Sequence, residues 1–287
     1  MLDIRQSKKY AEYLASQGWI VERIKNTNYF IKNLPVLGSI LKIQRTQIID
    51  IDTIKSLERK YKIFQTIIEP KLSFTNSISN HSLLLNEGYK LSRNPYLPTK
   101  TLQINLNLSK DQIYRNFTKD CKYSIKRGEG VVAKECSTIN EIALFYNAWK
   151  KSVSFNRYVP SLKSLLSLKK SFPQNSSLFV TSHNKAGSII GGAIFTTSSH
   201  DASNYITYYW HGFTNKEGRT SLSQYSLLYY GILWAKKQGY KVFDFEGIYD
   251  ERFPLKSWQG FTHFKKQFGG DEILYPGCYC RFRIPFL

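Results

Sequence analysis

Basic and aromatic residues cluster towards the end of the sequence, where Trp258–Gly270 reads WQGFTHFKKQFGG. Lys265 and Lys266 lie there between Phe264 and Phe268. A lysine ammonium that aromatic rings shield from water exerts a strong field, because little solvent remains to screen its charge. Such a cation could stabilise negative charge on the oxygen of a reacting ester. The alternative is that both lysines cover a hydrophobic rim with their stems.

A transfer to an amine also requires that the amine lose a proton, and two acidic residues are candidates for the base. Glu69 precedes Pro70 at the end of a predicted strand, and Asp244 lies in the run FDFEG. Asp244 could instead cap the turn that follows its strand. The substrate itself could also assist the proton transfer, so the sequence leaves the identity of the base open.

Composition points to a polyanionic partner. The 287 residues include 41 Lys and Arg against 21 Asp and Glu, which gives a formal charge of +20. Nucleic acid, phosphorylated carriers and an anionic membrane surface all fit this excess. No nucleotide-binding P-loop, zinc-protease or serine-hydrolase motif occurs, and we expect neither a metal site nor a cofactor. With no apparent signal peptide, membrane-length apolar run or disulfide framework, the expected location is cytoplasmic.

Helix signals in the second segment of the chain, after about residue 96, position several cations. Ser109 and Gln112 form a capping box, and the helix that they open is predicted to continue to Gly128. On that helix a basic stripe would occupy one face, either towards an anion or simply in solvent. A second capping box is predicted from Ser221 and Gln224. The basic stripe consists of Arg115, Lys119, Lys122 and Lys126.

The order of predicted elements after the first helix of this segment is strand, two helices, three strands, helix and strand. This order is the layout of the GNAT N-acyltransferase fold, and the first part of the chain is similar to a shorter copy of it. The fold class that follows is α+β, with two GNAT-like domains of mixed sheets flanked by helices. We place the first domain at residues 1–96, completed by 271–287, and the second at 97–270.

The end of the chain resembles the C-terminal signature of the FemA/FemB/FemX family, the peptidoglycan bridge-forming aminoacyltransferases. That signature is roughly D-F-x-G, a short spacer and then G-x-x-x-F-K-x-x-F-G-G. The matching positions are Asp244, Phe245, Gly247, Gly260, Phe264, Lys265, Phe268, Gly269 and Gly270. Weaker similarities are QSKKYAEYLASQGW at the start, IIEP at the strand end and KYSIKRGEG at the end of the basic helix.

The resemblance implies transfer of an amino acid from aminoacyl-tRNA to an amine on the stem peptide of a lipid-linked or UDP-linked peptidoglycan precursor. Lys265 then matches the functional lysine, and Glu69 is the better candidate for the second catalytic residue. Substrate contacts are expected from Arg157, Tyr208, Tyr209, Phe264 and Asp244, although Tyr208 and Tyr209 could be ordinary core tyrosines. Contacts with tRNA are expected from Lys119, Lys122, Lys126 and Lys266. Peripheral contact with the inner face of the membrane is also expected, and the oligomeric state stays open.

The loop at Asn215–Thr220 distinguishes this chain from enzymes that use acetyl-CoA. Those enzymes hold pyrophosphate with Q/R-x-x-G-x-G/A, and here only the middle glycine, Gly218, is kept. Thr220 adds a side chain where close backbone approach is needed, so a CoA donor is disfavoured. Two other functions stay open: an N-acyltransferase for another cell-envelope or exopolysaccharide acceptor, and a non-catalytic RNA-binding protein.

Overall fold

The computed structural model describes residues 3–71, 77–154, 157–198 and 205–283. Residue contacts divide this part of the chain into two compact units. The central unit takes in 102–246 and 260–272. The N-terminal unit takes in the chain up to Thr101, the segment Gly247–Gln259, and the chain from Ile273 onwards. The segment 247–259 was not included in the first predicted domain, and the predicted domain limits stay predictions.

The N-terminal unit is built on a six-stranded sheet with the strand order β1-β2-β3-β4-β13-β5. Strands β3 and β4 are parallel and the other pairs are antiparallel. The strands are β1 (Ile20–Ile24), β2 (Thr27–Leu34), β3 (Gly38–Thr46), β4 (Ile63–Pro70), β5 (Lys90–Leu91) and β13 (Tyr279–Phe282). The helices of this unit are α1 (Lys8–Ser16), α2 (Ile51–Lys60) and α3 (Ser77–Asn86).

Helix α2 shows how local sequence and packing agree in this unit. The Asp50 carboxylate accepts a hydrogen bond from the Thr53 N–H and caps the first turn. Ile54 and Leu57 turn inward and join the core against the sheet. The neighbouring Glu58 is also buried, and it binds Arg281 of β13 through both carboxylate oxygens, at 2.8 and 2.7 Å. A buried carboxylate needs such a partner, and this ion pair holds β13 against α2.

The second sheet has seven strands in the order β12-β6-β11-β10-β9-β8-β7. Its strands are β6 (Lys100–Asn105), β7 (Val132–Glu135), β8 (Ser177–His183), β9 (Ile189–Thr197), β10 (Ile206–Thr214), β11 (Val242–Asp244) and β12 (Asp271–Leu274). The helices that accompany it are α4 (Lys110–Arg115), α5 (Lys119–Arg127), α6 (Ile139–Ser152), α7 (Leu162–Ser171), α8 (Lys216–Thr220), α9 (Ser223–Lys237) and α10 (Gln259–Lys266). Strands β10 and β11 run parallel, and the register of β10 on β9 shifts between Tyr209 and His211.

Two predicted helix details are wrong. The capping box of Ser109 and Gln112 is present, but the single helix to Gly128 is two helices, because α4 ends at Arg115 and Thr118 caps α5. The second capping box does not form, since α9 begins after Leu222, which adopts a left-handed conformation and provides no side-chain cap. Gln224 is thereby released for another contact.

Among the described residues, no helix combines the length and apolarity needed to cross a membrane.

Candidate active site

Helix α10 carries Lys265 and ends in the two glycines of the motif. Gly269 and Gly270 have φ values of 69° and 104°, in the region that favours glycine. A β-carbon at Gly269 would lie 2.8 Å from the Asn116 carbonyl oxygen, and one at Gly270 would lie 2.5 Å from that of Gln103. The Gly-Gly pair is therefore required by the turn and by close packing, and it fixes the end of the helix.

Lys265 points into the protein and is only 7% exposed. Its Nζ donates a hydrogen bond of 2.7 Å to the carbonyl oxygen of Phe245. The same nitrogen lies 4.9 Å from the ring centre of Phe261 and 5.7 Å from that of Tyr209. The ammonium is thus held by one carbonyl and two aromatic faces, which favour a cation.

The expected aromatic neighbours of Lys265 have other contacts. The Phe268 ring is buried and packs against Phe117 and Phe245. The Phe264 ring lies edge-on to Tyr225, with ring centres 4.7 Å apart. Sequence reasoning missed Phe261, although its position four residues before Lys265 on a helix places both side chains on one face.

Burial lowers the pKa of Lys265 to about 8, and the charges of Glu246 and Asp244 oppose this shift. Desolvation disfavours the charged form of a lysine, whereas nearby carboxylates favour it. At neutral pH most of the Lys265 side chains are still protonated. They release the proton more readily than an ordinary lysine does, and such a shifted group in a recess is typical of a functional site.

The turn after β11 positions the carbonyl that Lys265 contacts. The Asp244 carboxylate accepts hydrogen bonds from the Glu246 N–H, at 2.8 Å, and from the Gln103 side chain, at 2.7 Å. Glu246 has a φ of 54°, so the chain reverses sharply there. Asp244 therefore supports the turn, and its direct contact with a substrate stays a prediction.

A cavity of about 580 Å³ lies in the central unit, within the range usual for small-molecule sites. It brings together three of the predicted substrate residues, Arg157, Tyr209 and Phe264. Arg219 and Gln224 also line it. The Tyr209 ring contributes to this cavity and to the surroundings of Lys265, so it connects the two features.

The shift in β10 explains why Tyr209 is available to the cavity. A β-bulge changes the direction of side chains next to it, and the shift lies directly after Tyr209. The Tyr209 hydroxyl accepts a hydrogen bond of 2.6 Å from the Gln224 side chain. Gly212 makes room for this hydroxyl, because a β-carbon there would lie 1.9 Å from it. Gln224 was predicted only as a helix cap, so its contact with Tyr209 was missed.

Tyr208 and Glu69, two other predicted site residues, lie elsewhere. Tyr208 is buried in the core and is not among the residues that line the cavity. Glu69 belongs to the N-terminal unit and is buried. Its carboxylate accepts hydrogen bonds from the Leu97 N–H, at 2.6 Å, and from the Gln44 side chain, at 3.1 Å. The structure does not bring Glu69 and Lys265 together within one unit, and their roles stay predictions.

The predicted RNA-binding lysines lie on the surface of the central unit. Lys119 and Lys126 are exposed on α5. Lys122 on the same face is half-buried, and its ammonium donates to the Arg115 carbonyl at 2.8 Å. Lys266 is 49% exposed and forms an ion pair with Glu272 at 2.6 Å. Lys265 and Lys266 are adjacent in sequence but differ completely in environment.

The sequence disfavours a metal site and a CoA donor, and the described residues bear on both. In the described ranges no group of three or more His, Cys, Asp or Glu is arranged to hold a metal ion. The predicted loop at Asn215–Thr220 is wrong, because Lys216–Thr220 forms helix α8 and the Asn215 side chain caps it by accepting the Gly218 N–H at 2.8 Å. A β-carbon at Gly218 would also lie 2.2 Å from the Ile190 carbonyl oxygen, so this glycine serves packing.

A second cavity, of about 600 Å³, contains none of the predicted site residues. Its lining includes Lys169, Tyr230 and Trp234. Burial lowers the pKa of Lys169, and the Tyr230 hydroxyl donates to Glu135 at 2.7 Å. Because it shares no residue with the surroundings of Lys265, we place the candidate active site at the first cavity.

Comparison with solved structures establishes the class of fold. A tandem GNAT protein from the clavulanic acid biosynthesis pathway matches with a TM-score of 0.52 and 8% identity, over 89% of this chain and 82% of its own. L-PGS from Bacillus licheniformis matches with a TM-score of 0.59 and 12% identity, over 94% and 86%. The predicted fold class, two GNAT-like units of α+β type, is confirmed.

A crystal structure of FemX gives a stronger likeness, with a TM-score of 0.80 over 98% of this chain and 92% of FemX. The sequence identity is 13%, so the likeness concerns the fold. No protein-family model and no curated protein sequence matches the chain. The predicted resemblance to the FemA/FemB/FemX family is confirmed at the level of the fold.

Proposed function

We propose that this protein transfers an aminoacyl group from aminoacyl-tRNA to an amine on the stem peptide of a peptidoglycan precursor. The observation that carries the proposal is the environment of Lys265. A mainly protonated lysine with a pKa of about 8 is held beside the cavity by the Phe245 carbonyl and two rings. The likeness to FemX and the C-terminal motif support this reaction over other acyl transfers.

The reaction needs positive charge where Lys265 offers it. The acceptor amine attacks the ester carbonyl, a C–N bond forms, and negative charge develops on the carbonyl oxygen. The C–O bond to the ribose then breaks, and the charge passes to the departing ribose oxygen. The Lys265 ammonium stabilises this charge and gives its proton to the ribose oxygen, which a pKa of about 8 favours. The proton of the attacking amine leaves to solvent or to a base, for which Glu69 stays the predicted residue.

The cavity provides the contacts that an acceptor peptide on a phosphorylated carrier requires. Arg157 and Arg219 supply guanidinium groups, each of which can donate two parallel hydrogen bonds to a phosphate or carboxylate. Phe264 and the ring of Tyr209 supply apolar surface for the peptide. The Gln224 side chain fixes the Tyr209 ring through its hydroxyl, so the surface is preorganised.

The net charge of the chain and the contacts of the Asn215–Thr220 segment favour an RNA donor over CoA. The formal charge of +20 matches a polyanion, and α5 presents exposed lysines. The Gly218 N–H, which a pyrophosphate would need, is already bound by Asn215. An acyltransferase that acts on another amine of the cell envelope would share these features and would differ only in its acceptor. For a protein that only binds RNA the burial of Lys265 has no use, because phosphate contacts are made by exposed cations.

Transfer of radiolabelled amino acids tests the proposal. A tRNA pool charged with radiolabelled amino acids of all types would be incubated with the protein and with a lipid-linked or a UDP-linked precursor. We expect label to move to one precursor and to depend on an intact acceptor amine. A matched reaction with an acetylated acceptor amine is the control. Binding of tRNA without transfer to either precursor would favour the RNA-binding alternative, and transfer only to another amine would favour the second acyltransferase.

A further inference from the structure

The turn between β2 and β3 exposes apolar side chains at its tip. Pro35, Val36 and Leu37 follow one another there, and all three are exposed. Val36 is 99% exposed and Leu37 is 60% exposed. Isolated exposed hydrophobic residues are ordinary, but a run of three on a protruding turn indicates a contact surface. We call Pro35–Leu37 the apolar tip.

The backbone of the apolar tip is strained. Val36 has a φ of 71°, a value that a β-branched residue rarely adopts. The Leu37 N–H donates to the Pro35 carbonyl at 2.9 Å, which closes a tight three-residue turn around Val36. Glycine or asparagine would fit this conformation better. An exposed valine in a conformation that disfavours it suggests that the side chain itself is used.

Basic residues lie at the same end of the sheet as the apolar tip. The Lys62 carbonyl accepts the Ser39 N–H at 3.2 Å, which places Lys62 beside the start of β3. Lys62 and Arg59 are exposed. In β2 the Lys32 ammonium donates to the Gly18 carbonyl at 2.9 Å and lies 5.9 Å from the ring centre of Trp19. This end of the sheet therefore combines the aliphatic side chains of the apolar tip with basic residues and an indole ring.

Nearby negative charge is compensated. The Glu22 carboxylate on β1 accepts a hydrogen bond from the Lys60 ammonium at 2.7 Å and another from the Tyr61 hydroxyl. Glu22 thus offsets Lys60 and leaves Arg59 and Lys62 to give this end of the unit a positive field.

We infer that the apolar tip inserts into the surface of an anionic lipid bilayer. Aliphatic side chains at the tip would enter the interface while Arg59 and Lys62 meet the lipid phosphates. Indole rings favour the depth of the headgroups, which suits Trp19. An exposed turn can enter a deformable surface such as a bilayer, and the nearby cations suit the negative charge of the lipids. A bilayer-bound protein would meet an acceptor carried on a lipid, so the inference narrows the choice of precursor left open by the proposed function.

Vesicle binding tests this inference without any substrate, so its outcome is separate from that of the proposed chemistry. Binding would be measured with vesicles of phosphatidylcholine alone and of phosphatidylcholine mixed with phosphatidylglycerol. The tip variant is Val36→Asp with Leu37→Asp. Its matched control is Ile139→Asp with Leu144→Asp on α6, where the original side chains are 69% and 59% exposed. Both variants lose two apolar groups and gain two negative charges, so the general electrostatic effect is the same.

We expect the wild-type protein to bind the anionic vesicles, the tip variant to bind them at least about tenfold more weakly, and the control to lose about twofold or less. Val36→Asn with Leu37→Asn, which adds no charge, should also weaken binding clearly more than the control does. Asparagine and aspartate tolerate the conformation of Val36, so both tip variants should fold. Equal losses in the tip variant and the control, or no binding of the wild type to anionic vesicles, would overturn the inference. If the tip instead binds a protein partner, the wild type should not bind anionic vesicles through the tip, which is one of these outcomes.

Discussion

Replacing Lys265 by methionine should leave the protein at least as stable as the wild type, although it removes a buried hydrogen bond. Burial lowers the pKa of Lys265 from the ordinary 10.5 to about 8. Each tenfold change in a protonation equilibrium corresponds to about 1.4 kcal/mol, so holding the ammonium costs the folded state about 3 kcal/mol at neutral pH. Methionine has a similar length and no charge, and it removes this penalty.

Part of that gain is lost again at the Phe245 carbonyl. This oxygen accepts the Lys265 hydrogen bond, and a buried carbonyl without a donor costs about 1–3 kcal/mol. The expected net change in the free energy of unfolding is therefore a gain of about 1 kcal/mol. A residue kept at a cost to stability is typical of a functional site.

The pH dependence gives a second measure of the same penalty. The pKa of Lys265 is lower in the folded protein than in the unfolded chain, so the unfolded chain binds more protons between pH 8 and about 10.5. The penalty is present in full below pH 8 and disappears as the pH rises through that range. Wild-type stability should therefore increase relative to Lys265→Met by up to about 3 kcal/mol.

Urea unfolding at several pH values would measure both effects. Lys266→Met is the control, because Lys266 is half-exposed and its ion pair with Glu272 is on the surface. That variant should change the free energy of unfolding by less than about 1 kcal/mol. A loss of 2 kcal/mol or more in Lys265→Met, with the same pH dependence as the wild type, would refute the reasoning and make Lys265 a structural residue.

Three further predictions follow from the site. As the pH rises through about 8, the transfer rate of the wild type should fall relative to that of Lys265→Arg, because lysine loses its proton there and arginine does not. A ratio of the two rates that does not change with pH would contradict a role for the ammonium. Gly212→Ala should displace the Tyr209 hydroxyl and raise the KM for the acceptor by about tenfold or more, and an unchanged KM would separate Tyr209 from the acceptor. The control is Gly130→Ala, an exposed glycine at which a β-carbon would meet only the Lys185 side chain, at 3.8 Å. Replacing Lys119, Lys122 and Lys126 by glutamine should weaken tRNA binding and flatten its logarithmic salt dependence by about 2–3, since each phosphate contact contributes about 0.7–0.9. The same change at the exposed Lys163, Lys170 and Lys185 should have a smaller effect, and equal effects of the two triple variants would show that general charge alone binds RNA.

Much of the fold could be predicted because its signals are local. The strands of both sheets follow short apolar runs between turn residues, and the box of Ser109 and Gln112 marks the start of α4. The break between α4 and α5 was missed because the basic stripe continues across it with helical spacing. Thr118, which caps α5, was the available signal. Leu222 adopts a left-handed conformation, which no sequence rule predicts for leucine.

The candidate site was predicted only in part, because motif spacing identifies residues but not their orientation. Lys265 was distinguished from Lys266 by its register in the motif, and the structure shows one lysine buried and the other half-exposed. Phe261 could have been found once Trp258–Lys266 was assigned to a helical region. The contact of Gln224 with Tyr209 depends on the shift in β10 and on the space that Gly212 leaves, which arise only from strand pairing.

The most direct test of the central claim is a single-turnover transfer assay with preloaded aminoacyl-tRNA at saturating acceptor, which separates chemistry from binding. If the Lys265 ammonium stabilises the developing negative charge, Lys265→Met should lower the rate of the chemical step by about a hundred- to a thousandfold. Lys266→Met, its matched neighbour, should leave that rate nearly unchanged. Equal rates for Lys265→Met and the wild type, with both proteins folded, would contradict the account and leave Lys265 as a buried lysine without a catalytic role.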